Sequence, residues 1–213
     1  MGRHVIPAFL RSVCPKSEWG ALMEEKLNPA QLLYAYSNGY FPMAHEEEDG
    51  QIYWHRPVMR GVIPLDKFHV SKNLKRLWRK HTYDLRIDTA FSEVVKACAK
   101  RSTTWINDEI LDAYAQLHEM NYAKSFEVWS GDDLVGGLYG VDLGRAFFGE
   151  SMFSRETNTS KLALVFLVEY LRENDYLLLD TQYLNNHLKQ FGAIEISDEK
   201  YMDILSQAIS KDV

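Results

Sequence analysis

Two acidic residues lie inside apolar stretches of this sequence, and a glutamine follows one of them two positions later. Glu150 interrupts the stretch from Phe147 to Ser154, and Asp180 follows a run of leucines and precedes Gln182. A carboxylate among Phe, Met and Leu side chains is costly to bury unless another group pairs with it. The pattern predicts a small apolar pocket with negative charge at its mouth. Because side chains alternate along a strand, Asp180 and Gln182 are expected to face the same site.

The elements that must position these residues are indicated by the hydrophobic periodicity. Three strands in a meander are predicted first, and then helix, strand, helix and strand alternate toward the end of the chain. The predicted elements of this half are 125–129, 134–141, 146–153, 161–173, 176–179, 185–191 and 194–196, with a last helix from Glu199. This order predicts an α+β fold, and it is typical of an acetyltransferase-like (GNAT) sheet.

The first half of the chain is predicted to hold shorter elements. Asn28-Pro29 is typical of a helix start and Asn38-Gly39 of a helix end. The other predicted helices are 72–81, 90–99 and 108–120, and the predicted strands are 52–55, 61–65 and 83–87, with an acidic loop at 45–50. A boundary near Leu65 divides the chain into predicted domains of residues 1–65 and 66–213.

One segment differs in charge from the rest of the chain. Between Lys67 and Arg86 there are seven basic residues and one acidic residue, so this segment carries +6 in a chain whose net charge is −6. A basic helix in an otherwise acidic protein can attract a polyanion locally. The segment is therefore a candidate for binding phosphate groups, and the alternative is a solvated helix face.

Several classes of protein are disfavoured by the sequence. A membrane-spanning helix needs about 20 consecutive apolar residues, and no apolar run in this sequence approaches that length. Cys14 and Cys98 lack metal-ligand or disulfide-framework spacing, which predicts free thiols in a reducing cytoplasm. The histidines show no metal spacing either. The turn at residues 155–160 contains no glycine, which disfavours the coenzyme A pyrophosphate that many acetyltransferases bind at a helix start.

Six segments in order along the chain resemble the leucyl/phenylalanyl-tRNA–protein transferase family. The match runs from about Asn28 to Tyr201, and its most specific part is Gly149-Glu150-Ser151-Met152-Phe153-Ser154 together with Asp180-Thr181-Gln182. The other segments that carry the resemblance are 33–42, 104–106, 136–141 and 158–161, with Asn185, His187 and Gly192-Ala193 after the last strand.

The resemblance implies a small N-terminal α/β domain on a GNAT-like C-terminal domain. It also implies an enzyme that moves Leu, Phe or Met from aminoacyl-tRNA to the N-terminal Arg or Lys of a protein, which marks that protein for degradation. The implied partners are aminoacyl-tRNA and proteins with a basic N-terminal residue, and no metal, cofactor or membrane is implied.

The family's functional residues carry over by position. The implied catalytic residues are Asp180, Gln182 and Glu150. The implied aminoacyl pocket consists of Leu138, Phe147, Gly149, Met152, Ser154 and Leu179. The implied contacts to the 3′-adenosine are Trp54, Trp105 and Tyr114, and the implied tRNA-binding residues are Lys72, Lys75, Arg76, Arg79 and Lys80. Because a neutral amide is too weak a base, we expect the Gln182 carbonyl to accept a hydrogen bond from the attacking amine, with Asp180 orienting Gln182.

Departures from the family pattern leave specificity open. Phe41-Pro42-Met43 stands where the family has Phe-Pro-Trp, and the loop after it is acidic. The alternatives are the same fold with an Arg-tRNA donor or acidic N-terminal acceptors, a non-catalytic aminoacyl-tRNA-binding protein, and a coenzyme A-dependent acetyltransferase. Glu150 favours the first alternative as a possible guanidinium partner, whereas Phe147, Met152 and Leu179 favour an apolar donor.

Overall fold

The structure, a computed structural model, describes residues 26–45, 51–100 and 106–210. Its helices are α1 (Pro29–Ser37), α2 (Lys72–Arg79), α3 (Phe91–Ala99), α4 (Asp108–Glu119), α5 (Thr159–Glu173), α6 (Asn186–Lys189) and α7 (Asp198–Ile209). Its strands are β1 (Phe41–His45), β2 (Gln51–His55), β3 (Met59–Val62), β4 (Asp84–Ile87), β5 (Ala123–Ser130), β6 (Asp133–Leu143), β7 (Ala146–Ser154), β8 (Leu178–Gln182) and β9 (Ile194–Ser197).

Seven strands form one mixed sheet in the order β4-β5-β6-β7-β8-β3-β9, and β1 and β2 form a separate two-stranded sheet. Every neighbouring pair in the large sheet is antiparallel except β7 and β8, which are parallel. The α+β class predicted from the element order is confirmed. Strand β3 lies between β8 and β9, so residues 59–62 belong to the large sheet although they precede residue 65, where the division into domains is predicted.

Helices cover both faces of the sheet. On one face, α5 buries Leu162, Leu167 and Val168 against Phe126 and Leu138 of the sheet. On the other face, α1, α3, α4 and α7 pack over a second apolar cluster that includes Tyr139 and Phe148. Among the described residues, none of the helices has the length and apolar composition that crossing a bilayer requires.

Two predicted strands differ from those observed. The strand predicted at 176–179 is observed at Leu178–Gln182, because the Tyr176 amide donates to the Leu171 carbonyl (3.0 Å) in the turn that closes α5. The strand predicted at 61–65 is observed at Met59–Val62, since Leu65–Lys67 forms a 3₁₀ turn instead. Strand β8 therefore extends into Asp180 and Gln182 and places both in the sheet.

Candidate active site

A cavity opens where the two parallel strands separate. Residues 146–148 of β7 pair with residues 178–180 of β8. Beyond these residues the two strands no longer pair with each other. The space between the diverging strands is a cavity of about 360 Å³. Its walls come from β6, β7, α5, β8 and the segment that leads into α6, and the lining residues are Leu138, Tyr139, Gly149, Glu150, Ser151, Met152, Ser160, Leu164, Leu167, Leu179, Thr181, Gln182, Asn185, His187 and Leu188.

A β-bulge at Glu150 changes the direction of the β7 side chains. Gly140 pairs with Gly149 and Tyr139 pairs with Ser151, so Glu150 is the extra residue in the ladder. A bulge shifts the alternation of side chains and is common beside active sites. Phe147 before the bulge and Met152 after it consequently pack with the same apolar cluster.

Glu150 and Gln182 face each other across the cavity mouth. The Gln182 Nε2 group donates to Glu150 Oε1 at 3.0 Å, and the Tyr36 hydroxyl donates to the same oxygen at 2.7 Å. Tyr36 is in turn hydrogen-bonded to Tyr114, which is fully buried. Burial raises the pKa of both tyrosines well above the usual value, and the adjacent Glu150 adds to this effect. The tyrosines therefore remain protonated and can donate hydrogen bonds to the glutamate.

The environment of Glu150 favours its neutral form. Burial raises the pKa of Glu150 to about 8, and the neighbouring Asp180 charge acts in the same direction. The hydrogen bond from Tyr36 and the charge of Arg60 lower the pKa, but by less than burial raises it. The group can accordingly exchange a proton near neutral pH, a property expected of a residue that takes part in proton transfer or binds a cation.

We expect the stability of the protein to depend on the protonation of Glu150. Its pKa is about 8 in the folded state and ordinarily 4.5, so between these values the folded state binds more protons than the unfolded state. The stabilisation by the protonated form is therefore lost as the pH rises from about 4.5 to 8. Urea unfolding at pH 5 to 8 should show the free energy of unfolding of the wild type falling relative to that of Glu150→Gln. If the free energies of unfolding of the wild type and of Glu150→Gln changed in parallel with pH, the raised pKa of Glu150 would be contradicted. Glu195 is exposed, so Glu195→Gln is the control and should follow the wild type.

Asp180 lies behind the cavity wall, in a buried ion pair with Arg60. Arg60 Nη2 lies 2.6 Å from Asp180 Oδ2, and the side chains are 1% and 0% exposed. Arg60 Nε also donates to Asp180 Oδ1 at 3.0 Å, and the Tyr201 hydroxyl donates to Oδ2 at 2.8 Å. The prediction that Asp180 and Gln182 both face the site holds only for Gln182 in this geometry. Asp180 is not among the lining residues, because its carboxylate faces Arg60 and Tyr201.

Asp180 nevertheless acts on Gln182 through the backbone. The backbone amide of Gln182 donates to Asp180 Oδ1 at 2.8 Å. The backbone of Gln182 is in the left-handed region, with φ of 56°. Such a conformation is unfavourable for a non-glycine residue unless the surroundings maintain it. The buried carboxylate therefore holds the backbone of Gln182 in the conformation that directs its side chain toward Glu150.

Sequence reasoning missed Arg60, Tyr36 and Tyr201. Arg60 is the charged residue of an otherwise apolar strand, which is the same signal that singled out Asp180. Its guanidinium also donates to the Gly39 carbonyl at 3.0 Å and lies over the Phe41 ring at 4.7 Å, so it links the segment after α1 to the strand that carries Gln182. Tyr36 and Tyr201 gave no such signal, because a tyrosine in an amphipathic helix is typical of a core residue.

The predicted aminoacyl-pocket residues divide into two groups. Leu138, Gly149, Met152 and Leu179 line the cavity. Phe147 is fully buried in the core against Phe126 instead, on the far side of the bulge. Ser154 lies outside the cavity because its hydroxyl donates to the Glu156 carbonyl at 2.7 Å in the turn before α5.

The predicted nucleic-acid contacts also differ in their placement. Trp54 is only 6% exposed and pairs with Pro42 in the β1–β2 sheet, and Tyr114 is buried behind Tyr36, so neither lines the cavity. Trp105 lies outside the described residues. The basic side chains of α2 line one shallow recess on the surface, which is formed by Lys72, Lys75, Arg76, Arg79 and Lys80.

Comparison with known proteins places this arrangement in a family. Residues 62–206 match the model of the leucyl/phenylalanyl-tRNA protein transferase family, and residues 25–58 match the model of its N-terminal domain. The chain belongs to the leucyl/phenylalanyl-tRNA protein transferase family. The sequence resemblance is thereby confirmed, and the protein is a transferase. A leucyl/phenylalanyl-tRNA–protein transferase from Paramagnetospirillum magneticum is 50% identical over 184 residues, which cover 84% of this chain and 88% of that protein.

Two solved structures are similar to this chain at low TM-scores and low sequence identity. L-PGS from Bacillus licheniformis gives a TM-score of 0.44 at 10% identity, covering 87% of this chain and 71% of that chain. A conserved protein of unknown function from Staphylococcus epidermidis gives a TM-score of 0.41 at 14% identity, covering 82% of this chain and 66% of that chain.

Proposed function

We propose that this transferase moves Leu, Phe or Met from aminoacyl-tRNA to the N-terminal Arg or Lys of a protein in the cytoplasm and so marks that protein for degradation. The observation that carries the proposal is a cavity with leucine and methionine side chains along part of its wall and with Glu150 facing Gln182 at its mouth. Leu138, Met152 and Leu179 suit an apolar donor side chain. Glu150 at the mouth suits a cationic acceptor residue, because a bound cation favours the ionised form of this carboxyl group, whose pKa is about 8.

The reaction requires positioning more than activation, because an aminoacyl ester is already reactive. The acceptor amine attacks the ester carbonyl carbon, so that a C–N bond forms and the C–O bond to the ribose breaks. The amine proton passes to the departing ribose oxygen. Holding both reactants in an aligned geometry can supply about 7–11 kcal/mol of the barrier reduction. In this proposal the walls of the cavity hold the donor side chain, and Gln182 orients the amine.

Gln182 is suited to accept the hydrogen bond of the amine. Its Nε2 group donates a hydrogen bond to Glu150 Oε1, and this bond fixes the orientation of the side-chain amide. Among the described residues, no side chain or backbone group donates to the amide oxygen. An amine that approaches the cavity mouth could donate to this oxygen while its lone pair attacks the ester.

The GNAT-like architecture and the two domains belong to the same proposal. The separation of the parallel strands β7 and β8 beside the bulge supports a GNAT-like C-terminal domain. Because β3 is hydrogen-bonded between β8 and β9 in the sheet of this domain, we place its start before Met59 and not at the predicted residue 66. The basic recess of α2 supports binding of tRNA phosphates, which positions the donor without reading its sequence.

A transfer assay tests the proposal directly. Peptides that begin with Arg, Lys, Asp or Glu are crossed with Leu-, Phe-, Met- and Arg-tRNA, and the product is detected by mass spectrometry. We expect product for Arg and Lys peptides with the three apolar donors. Transfer of Arg, or transfer to Asp and Glu peptides, would instead support the alternative specificity, because Glu150 lines the cavity and could bind a guanidinium. No product in any combination would contradict the enzymatic proposal.

A further inference from the structure

A second recess adjoins the cavity at the far end of β7. Its volume is about 340 Å³, and its lining residues are Ala97, Lys100, Met152, Phe153, Ser154 and Arg155. Met152 lines both this recess and the cavity. Ser154 ends the strand two positions beyond Met152, a separation of about 7 Å along a β-strand. A ligand that fills the cavity and extends past Met152 would therefore reach this recess next.

The charges of this recess are positive and are not neutralised by neighbouring acids. Within residues 26–45, 51–100 and 106–210, no carboxylate lies at ion-pair distance from Lys100 or Arg155. The adjacent Glu156 is held by the Tyr83 hydroxyl, which donates to its Oε2 at 2.7 Å. The pair of cations is consequently available to an anion from outside.

The guanidinium of Arg155 is held in place by the protein. Its Nη1 group donates to the Leu134 carbonyl at 2.7 Å, and its Cζ lies 5.5 Å from the centre of the Phe153 ring. Its Nε and Nη2 groups have no partner among the described residues. A guanidinium with one edge anchored and the other edge available matches the geometry of a phosphate.

We propose that Lys100 and Arg155 form a subsite for the phosphodiester that precedes the 3′-terminal nucleoside of the donor. The proposal rests on the proposed function, in which the cavity holds the aminoacyl group. An aminoacyl-tRNA places its last phosphodiester one ribose away from the ester. The recess shares Met152 with the cavity and carries the cations Lys100 and Arg155, so it lies where that phosphodiester would follow the ribose. The subsite would align the donor ester with Gln182 independently of the basic recess on α2, which would contact more distant phosphates.

Binding of two stable donor analogues tests this subsite. The first is 3′-deoxy-3′-leucylamido-adenosine, and the second is the same nucleoside carrying a 5′-cytidylyl group and therefore one phosphodiester. Because hydrogen bonds to charged groups contribute about 1.5–3 kcal/mol, we expect the wild type to bind the dinucleotide about 10- to 100-fold more tightly than the nucleoside. This ratio should fall toward one in Lys100→Met and in Arg155→Gln.

Lys96→Met is the matched control, because Lys96 lies one turn earlier on α3, is exposed and does not line the recess. It should keep the wild-type ratio. An unchanged ratio in Lys100→Met, or a wild-type ratio near one, would overturn the subsite. Lys100→Met alters only an exposed side chain, so it decides the question even if Arg155→Gln unfolds. Since the analogues are not substrates, the measurement stands apart from the transfer assay, whose failure would instead contradict the proposed function.

Discussion

Replacing Arg60 by methionine is expected to lower the free energy of unfolding by about 3–5 kcal/mol. The substitution leaves the Asp180 carboxylate buried without its counter-ion. Among the described residues, the donors that remain to it are the Tyr201 hydroxyl and the Gln182 backbone amide. A loss of this size is a large part of the about 5–15 kcal/mol that stabilises a typical domain. Urea unfolding followed by circular dichroism measures it.

A second arginine–aspartate pair in the same protein provides the control. Arg56 Nη2 lies 2.6 Å from Asp198 Oδ2, the same distance as in the Arg60–Asp180 pair, but the side chains are 22% and 33% exposed. Because water screens a partly exposed pair and solvates the remaining partner, Arg56→Met should cost only about 0–1 kcal/mol. Equal effects of the two substitutions would show that burial of Asp180 does not determine the loss.

The double variant Arg60→Met with Asp180→Leu separates the stabilising role from the positioning role. Replacing a buried ion pair by apolar residues of similar volume is often neutral or stabilising, so most of the stability should return. The backbone amide of Gln182 then has no carboxylate that maintains the left-handed conformation. We therefore expect the turnover number for transfer to remain low and the affinity for tRNA to be retained. Wild-type turnover in a folded double variant would contradict a positioning role for Asp180.

Helix starts and apolar strands could be predicted from local sequence, because their causes are local. The Asn28 side chain accepts a hydrogen bond from the Gln31 backbone amide at 3.0 Å, and the Gln31 side chain accepts one from the Asn28 backbone amide at 3.1 Å. The predicted helix 29–37 is observed with the same bounds. The apolar residues of β7 likewise predicted a strand at nearly its observed position. The carboxylates Glu150 and Asp180 were noticed for a physical reason, the cost of burying a charge.

The partners of those carboxylates could not be predicted from local sequence. Arg60 lies 120 positions before Asp180 and Tyr36 lies 114 positions before Glu150, and nothing in either local segment indicates the contact. The bulge at Glu150 also depends on the register with β6, which strand periodicity does not reveal. Phe147, which the family resemblance places in the pocket, packs instead against Phe126 in the core. The site is thus formed by tertiary contacts around residues that local patterns only mark as unusual.

Gln182→Leu is expected to lower the turnover number of transfer by about 10²–10³, the effect of removing one aligned polar group from the reacting centre. Leucine has similar size but can neither donate to Glu150 Oε1 nor accept a hydrogen bond from the acceptor amine. Affinity for leucyl-tRNA should change little, because the apolar residues of the cavity and the basic residues of α2 are unchanged. Single-turnover transfer to an Arg peptide measures the rate, and filter binding measures the affinity.

A second variant, Gln182→Glu, distinguishes the two functions of the Gln182 side-chain amide, which are to donate to Glu150 and to accept a hydrogen bond from the amine. Gln182→Glu keeps an acceptor oxygen but, when ionised, cannot donate to Glu150, so a rate as low as that of Gln182→Leu would indicate that orientation by Glu150 is the essential contribution. A rate near the wild type in Gln182→Glu would indicate that the acceptor oxygen alone suffices. The exposed Gln116→Leu on α4 is the control and should transfer normally. A wild-type rate in Gln182→Leu, or a parallel loss of tRNA affinity, would contradict the role of Gln182 in orienting the amine.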